Sequence, residues 1–414
     1  MLIKNIKQLV GIDTHNRVNV SGTEMSQLET LDNAFLLIES NKIDDFGSMV
    51  LCPQNYGGEI MDATDRLVLP AFCDSHTHSV YAGSRELEYV NKTIKGLSYE
   101  EVARQGGGIL NSVKRLQETS EDTLFETALE RLRTMITYGT GAVEIKSGYG
   151  LSTESELKML RVIRRLKAHS PLTIKATFLG AHAVPVEYKG RQTDYVNLII
   201  REMIPRIAGE GLADFIDVFC DTGFFTIEET DRMLSAGAKY GLIPKIHANE
   251  LGLSGGIQVG VKYKALSVDH LEYVGDAEIE ALLHSDTMPT ILAGAAFFLD
   301  MPLSPVRKMI QAGLPVALAS DFNPGSSPSS NMQFIVSLGC IRYKMLPEEA
   351  ILATTLNSAY AMGVSNTLGS ITKYKTANVF ITKPIPNYQY IPYSYGDNKV
   401  ETVILNGQVV RKFN

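Results

Sequence analysis

Apolar and polar positions along the 414-residue chain fall into two textures. Between Pro70 and Gly363, short apolar runs alternate with segments of helical periodicity, the βαβα rhythm of a parallel sheet covered by helices. The runs are LVLPAFCDSH, GAVEIKSG, TIKATFLGAH, FIDVFC, IPKIHANE, ALSVDHLE, MPTILAG and PVALASDF, eight in all. Continuous hydrophobicity suits strands buried on both faces, and eight such strands are what a (β/α)8 barrel requires. The helices between them carry start signals. In TESELKMLRVIRRLKAH, Thr153 followed by Glu156 predicts a capping box.

The two ends read differently. LIKNIKQLVGI, AFLLIESNKIDDFG and GEIMDATDRLVLP are strand-like, with Asn41-Lys42 placed for a tight turn, and the texture returns in ITKYKTANVFITK and KVETVILNGQVVRKF. Asn406-Gly407 in the last segment is a strong two-residue hairpin signal. Segments 1–67 and 366–414 are therefore expected to build one small β-sandwich module, and 68–365 the barrel. The Pro- and Tyr-rich stretch PIPNYQYIPYSYGDN is expected to be a surface loop whose rings pack locally, an aromatic binding platform being the sharper alternative.

Composition narrows the function classes. With 39 Lys+Arg against 46 Asp+Glu the formal charge is −7, and no basic block stands out, so a nucleic-acid partner is not expected. An acidic substrate would need a local basic anchor. No stretch approaches ~20 consecutive apolar residues, and the N-terminus lacks the basic region, apolar run and cleavage site of a signal peptide. Cys52, Cys73, Cys220 and Cys340 stand far apart, which reads as free thiols in a reducing compartment. The expectation is a soluble cytoplasmic protein with no membrane partner.

The histidines carry the candidate chemistry. His15, His169 and His284 lie in polar or helical settings and read as solvated or locally bonded. The others gather at the ends of apolar runs, together with Lys146 and Asp321. In a (β/α)8 barrel the C-terminal ends of the strands are where chemistry is built. His76 and His78 form an H-x-H pair, and residues two apart on an extended segment face the same side. A lone pair of this kind is a weak signal. With His247 and Asp321 closing later runs, it becomes a set suited to a divalent first-row metal such as zinc or iron.

LPAFCDSHTHSVYAGSRELEY, with its H-x-H at the end of the first run, resembles the metal signature of the amidohydrolase superfamily. SGYGLSTESELKML, TFLGAHAVPVEY, KIHANEL, SVDHLEY and ASDFNPGSSPSSNM then match, in order and over essentially the whole chain, one branch of that superfamily. The resemblance implies a mononuclear hydrolase that opens the cyclic amide of 4-imidazolone-5-propanoate to N-formimidoyl-L-glutamate, the third step of histidine degradation. It implies His76, His78, His247 and Asp321 as ligands of one zinc or iron ion. It places Arg85, Tyr149, His182, Glu250, Asn323, Gly325 and Ser326 against the substrate. It also implies a homodimer.

Elementary chemistry asks for the same residue types. Water is a poor nucleophile at neutral pH, whereas a bound zinc can lower its pKa to about 7, and the resulting hydroxide attacks the ring carbonyl. The leaving ring nitrogen must gain a proton, and His270, Glu250 and Asp321 are the available acids and bases. Imidazole titrates near physiological pH, which favours His270. Arg85 can clamp the propanoate with two parallel N–H bonds, a geometry lysine cannot copy. The competing reading of Arg85 is a surface ion pair with Glu86 or Glu88. Tyr149, between Gly148 and Gly150, is either a substrate contact or part of a structural turn.

Some amidohydrolases hold two metals bridged by a modified lysine at the end of the fourth strand. Here Lys146 is assigned to the end of the third strand and His182 to the fourth, so one metal is expected and Lys146 is read as a structural ion pair, with Glu144 or a pocket carboxylate. Two other functions stay open: a mononuclear deaminase or aryl-dialkyl-type hydrolase that reassigns Arg85, Tyr149 and the 323–326 loop, and a catalytically silent barrel kept for binding.

Overall fold

The computed structural model describes residues 1–95 and 108–412. Five strands precede the barrel: β1 (Leu2–Ile12), β2 (Glu29–Glu39), β3 (Lys42–Ser48), β4 (Ile60–Asp62) and β5 (Leu67–Pro70). Eight follow as β6 (Phe72–Thr77), β7 (Thr140–Lys146), β8 (Thr173–Ala181), β9 (Phe215–Cys220), β10 (Ile243–Ala248), β11 (Ser267–His270), β12 (Met288–Leu292) and β13 (Ala317–Ala319). The chain ends on β14 (Val379–Thr382), β15 (Val400–Leu405) and β16 (Gln408–Lys412).

Strands β6 to β13 pair in sequence order, each parallel to the next, with helices between them. The ring closes where the two end strands meet. His78 donates its backbone N–H to Phe322 O at 2.9 Å, and the buried Asp74 carboxyl accepts the Ser320 N–H at 3.0 Å. Each of the eight apolar runs contains one barrel strand, the first beginning with β5 of the terminal module before β6, as expected of strands covered on both faces.

The terminal segments join in one sheet of order β16-β15-β14-β5-β1-β2-β3, with β4 also pairing β1. Its two faces do different jobs because side chains alternate along a strand. Val68, Val379 and Ile381 face a separate apolar core with Ile3, Ile6, Leu9 and Ile38. Leu67, Leu69 and Phe380 face the opposite way, into the large core of the barrel. The module is thus seated on the barrel through alternate residues of the same strands.

Three local expectations need correction. The helix Thr153–His169 is capped by Ser152, whose hydroxyl accepts the Ser155 N–H, so Thr153 is not the cap and Glu156 is released for another task. The first hairpin turns on Ser40-Asn41, not Asn41-Lys42, because Lys42 already pairs with Glu39. The tyrosine-rich stretch contains a helical turn, Tyr390–Tyr393, and the Tyr388 hydroxyl bonds Glu348 while Tyr393 and Tyr395 are exposed. The Asn406-Gly407 hairpin is as read, with both residues at positive φ (52° and 74°).

Candidate active site and metal centre

One cavity of about 190 Å³ opens at the C-terminal ends of the barrel strands. His78, Arg85, Tyr149, His182, His247, Glu250, His270, Asp321, Asn323, Gly325 and Ser326 all line it. His76 lies fully buried alongside, its ring centroid 4.5 Å from that of His247. Each residue singled out from sequence is therefore brought to one place, although they come from six different strand ends or the loops after them.

Ligand atoms of His76, His78 and His247 lie within 4.8 Å of one another. Asp321 Oδ1 stands 3.6 Å from His76 Nε2 and 3.6 Å from His78 Nε2. His76 Nε2, His78 Nδ1 and His247 Nε2 are buried without a protein partner, and burial pushes the His76 and His78 imidazoles well below their ordinary range, so they are neutral lone-pair donors. Burial drives the Asp321 carboxyl the other way, up to about 7. That shift reflects the cost of a buried negative charge, which a divalent cation would offset. Neutral imidazoles converging beside one costly carboxylate fit a metal ion.

The opposite edges of these histidines are anchored. His76 Nδ1 donates to Asp269 Oδ2 at 2.6 Å, which leaves Nε2 as the free donor atom. His247 Nδ1 stands 3.0 Å from Asp217 Oδ2, close but off the line of a good hydrogen bond. Lys146 ties the anchors together: its Nζ lies 2.7 Å from Asp217, 2.6 Å from Glu144 and 3.7 Å from Asp269. Burial alone would raise the Asp217 carboxyl, but His247 and Lys146 outweigh it and hold the group well below the usual carboxylate range. Lys146 is thus the structural ion pair foreseen.

Its strand number is not. Lys146 ends the second barrel strand, β7, and His182 follows the third, β8. The fourth strand, β9, ends on Phe219-Cys220, and Phe219 lines the cavity. The position assigned to histidine is therefore apolar. The order of the eight runs already places GAVEIKSG second and TIKATFLGAH third, so the assignment ran one strand ahead.

The remaining groups shape the cavity. Arg85 is paired with Glu88 through Nε at 2.9 Å and through Nη2, so the ion pair posed as an alternative exists inside the pocket, which Glu88 also lines. A Cβ on Gly325 would collide with the guanidinium. Asn323 Oδ1 accepts the N–H groups of Gly325 and Ser326 at 2.8 Å each, and Ser326 Oγ reaches Asp321 Oδ2 at 3.3 Å. His182 Nδ1 lies 3.0 Å from Gly148 O. A carbonyl only accepts, so Nδ1 carries the proton and Nε2 is left as an acceptor. Burial, with His247 second, lowers the His182 pKa to about 3. His270 Nε2 faces Glu250 Oε2 at 3.6 Å. Glu250 is placed by Asp221, which accepts the N–H groups of Glu250 and Leu251 at 2.7 and 3.0 Å.

Sequence reading missed the anchors Asp217, Asp269 and Asp221 and the stacked pair Phe219 and Phe224, whose centroids are 3.9 Å apart. A lone acid inside an apolar run, as in FIDVFC and SVDH, was the available signal for Asp217 and Asp269.

Relatives agree with this picture. A curated imidazolonepropionase of Flavobacterium johnsoniae is 55% identical over 409 residues, 99% of each chain, and one of Geobacillus sp. is 40% identical over 100% of this chain and 98% of its own. A solved 5-methylcytosine deaminase of Klebsiella pneumoniae superposes with TM-score 0.75 at 16% identity, over 100% of this chain and 98% of the other. A triazine hydrolase variant does so with TM-score 0.76 at 15%, over 99% and 94%. At such identities these two speak for the fold alone. The profile of the amidohydrolase family matches residues 67–410, and with the histidine cluster at the strand ends and near-full-length relatives, the chain belongs to that metal-dependent hydrolase family.

Proposed function

We propose that this chain is an imidazolonepropionase, which hydrolyses the cyclic amide of 4-imidazolone-5-propanoate to N-formimidoyl-L-glutamate in histidine degradation. Near-full-length relatives at 40–55% identity bear that name. The observation in this molecule that carries the reading is one cavity lined both by metal-competent histidines and by an arginine.

His76, His78, His247 and Asp321 would hold one divalent ion, zinc or iron. The apolar end of β9, where two-metal relatives place a bridging lysine, supports a single ion. When bound, the ion supplies Lewis acidity, polarising a carbonyl and acidifying water. The chain's own groups do the rest. Arg85, steadied by Glu88, binds the propanoate arm as a charge-assisted pair over Gly325. His182 Nε2 accepts a ring N–H, since its Nδ1 proton is committed to Gly148. Tyr149 and the Asn323–Ser326 loop close the sides, and Phe219 and Phe224 keep the ring's face dry. His270 and Glu250, 3.6 Å apart, take the proton from attacking water and return it at the leaving ring nitrogen, with Asp321 assisting.

The four cysteines are free thiols, and none of the helices among the described residues is long and apolar enough to cross a membrane. Both facts support a reading as a cytoplasmic enzyme acting on a small molecule, and as a homodimer it would elute at twice its chain mass.

The test is incubation with freshly generated 4-imidazolone-5-propanoate alongside metal analysis. Formation of formimidoylglutamate with about one ion per chain is expected. No ring opening, with deamination of a purine or pterin instead, would overturn the reading.

A further inference from the structure

Glu156 is fully buried, sits in the first turn of the helix Thr153–His169, and is not needed to cap it. Its carboxylate reaches out to the loop after β7. Oε1 accepts the N–H groups of Gly150 and Leu151 at 2.8 and 2.9 Å, and Oε2 accepts that of Gly148 at 3.1 Å. Three of the four consecutive N–H groups from Gly148 to Leu151 thus converge on one side chain, the exception being that of Tyr149.

The local backbone is built for this. Gly148 has φ +105° and Leu151 φ +52°, and a Cβ on Gly150 would come within 2.5 Å of the Glu156 nitrogen. Such conformations persist only where surrounding contacts over-determine them. The consequence lies in the cavity. The Tyr149 ring is held 5.8 Å from His78 and 5.5 Å from His182. The Gly148 carbonyl, in the residue whose N–H Glu156 binds, fixes the His182 tautomer. Burial pushes the Glu156 carboxyl up even against the Ser147 side chain and the three backbone donors, so the group is kept against a desolvation cost.

We propose that Glu156 is a positioning residue for substrate recognition, holding the 148–151 loop so that Tyr149 and the acceptor nitrogen of His182 meet the substrate ring together. The proposal rests on the assignment of those two residues to the substrate.

Glu156→Gln keeps the shape but turns an NH₂ group toward backbone donors, and Glu156→Asp keeps the charge with a shorter reach. The expected result is a rise in KM of about tenfold or more for Glu156→Gln, with kcat, metal content and Tm changed far less, since small misplacements weaken productive binding steeply. Partial recovery in Glu156→Asp is expected. A Tyr149→Phe, Glu156→Gln double variant should lose less than the sum of the singles. An unchanged KM, or a loss that tracks only the fraction of unfolded protein, would overturn the proposal. Should the wild type not turn over imidazolone propanoate, the functional reading falls separately. The ¹⁵N resonances of His182 would then decide: loss of the Nδ1–H tautomer in Glu156→Gln supports positioning, and an unaltered spectrum refutes it.

Discussion

His182 shows how one hydrogen bond sets both charge and polarity. With Nδ1 donating to Gly148 and the pKa lowered to about 3, the ring is neutral and accepting at every working pH. The native state therefore binds fewer protons than the unfolded chain between about pH 6.5 and 3, so stability contributed by this group is present above pH 6.5 and falls as pH drops. Relative to His182→Gln, the wild type should lose about 2 kcal/mol between pH 7 and pH 5, measured by urea unfolding at each pH. A constant difference would mean that the ring titrates normally. Arg85 makes a different prediction. Arg85→Ala should raise KM by about 10²-fold or more, the loss of a charged bidentate contact, with kcat changed far less. Arg85→Lys should recover little of it, because an ammonium cannot form the fork. A normal KM in either variant would contradict the clamp.

Turns and strand ends decide where these side chains go. The Asn406-Gly407 turn packs on the Ser40-Asn41 turn, and a Cβ on Gly407 would strike the Ser40 carbonyl. Gly407→Ala, at φ +74°, should cost about 1–3 kcal/mol, seen as a Tm several degrees lower with KM unaffected. An unchanged Tm would show that the two turns can part freely. The same principle works at the active site in reverse. His270, Leu271 and Asp321 all have positive φ (85°, 67° and 51°), a departure from strand geometry that turns catalytic candidates across the barrel mouth. The hairpin was legible because Asn-Gly favours that conformation on its own. The His270 and Asp321 conformations were not, since tertiary packing imposes them on residues that would otherwise continue a strand.

Across the molecule, the candidate metal site gathers residues from positions 76 to 321, so it exists only when the ring of strands is closed. His247→Ala and Asp321→Ala should each abolish turnover, with metal content falling well below one ion per chain. Retained activity in either would remove that residue from the ligand set. The terminal module enters the same logic, because β5 lies between β1 and β14 and presents Leu67 and Leu69 to the barrel core. Truncation after Thr372 removes β14 to β16 and strips both faces of that junction, so the shortened chain should be insoluble or unfolded by circular dichroism. A cooperative melt close to that of the full chain would show the barrel to be independent of its module.

Local physics was enough to mark the eight barrel strands, because a strand covered on both faces must be apolar throughout, and to mark the H-x-H pair, because a period of two puts both imidazoles on one side. The buried charges inside those strands were another matter. Asp217 and Asp269 face inward only because Lys146, from another strand, meets them there, and Glu144 is met both by Lys146 of its own strand and by Lys245 of β10. Only the Glu144–Lys146 pair had a neighbour in sequence to announce it; for Asp217 and Asp269 none does. Nor could a helix-start pattern say that Glu156 serves a distant loop once Ser152 has taken the cap. Partners brought together across the barrel are set by closure of the chain, and only the folded molecule holds that information.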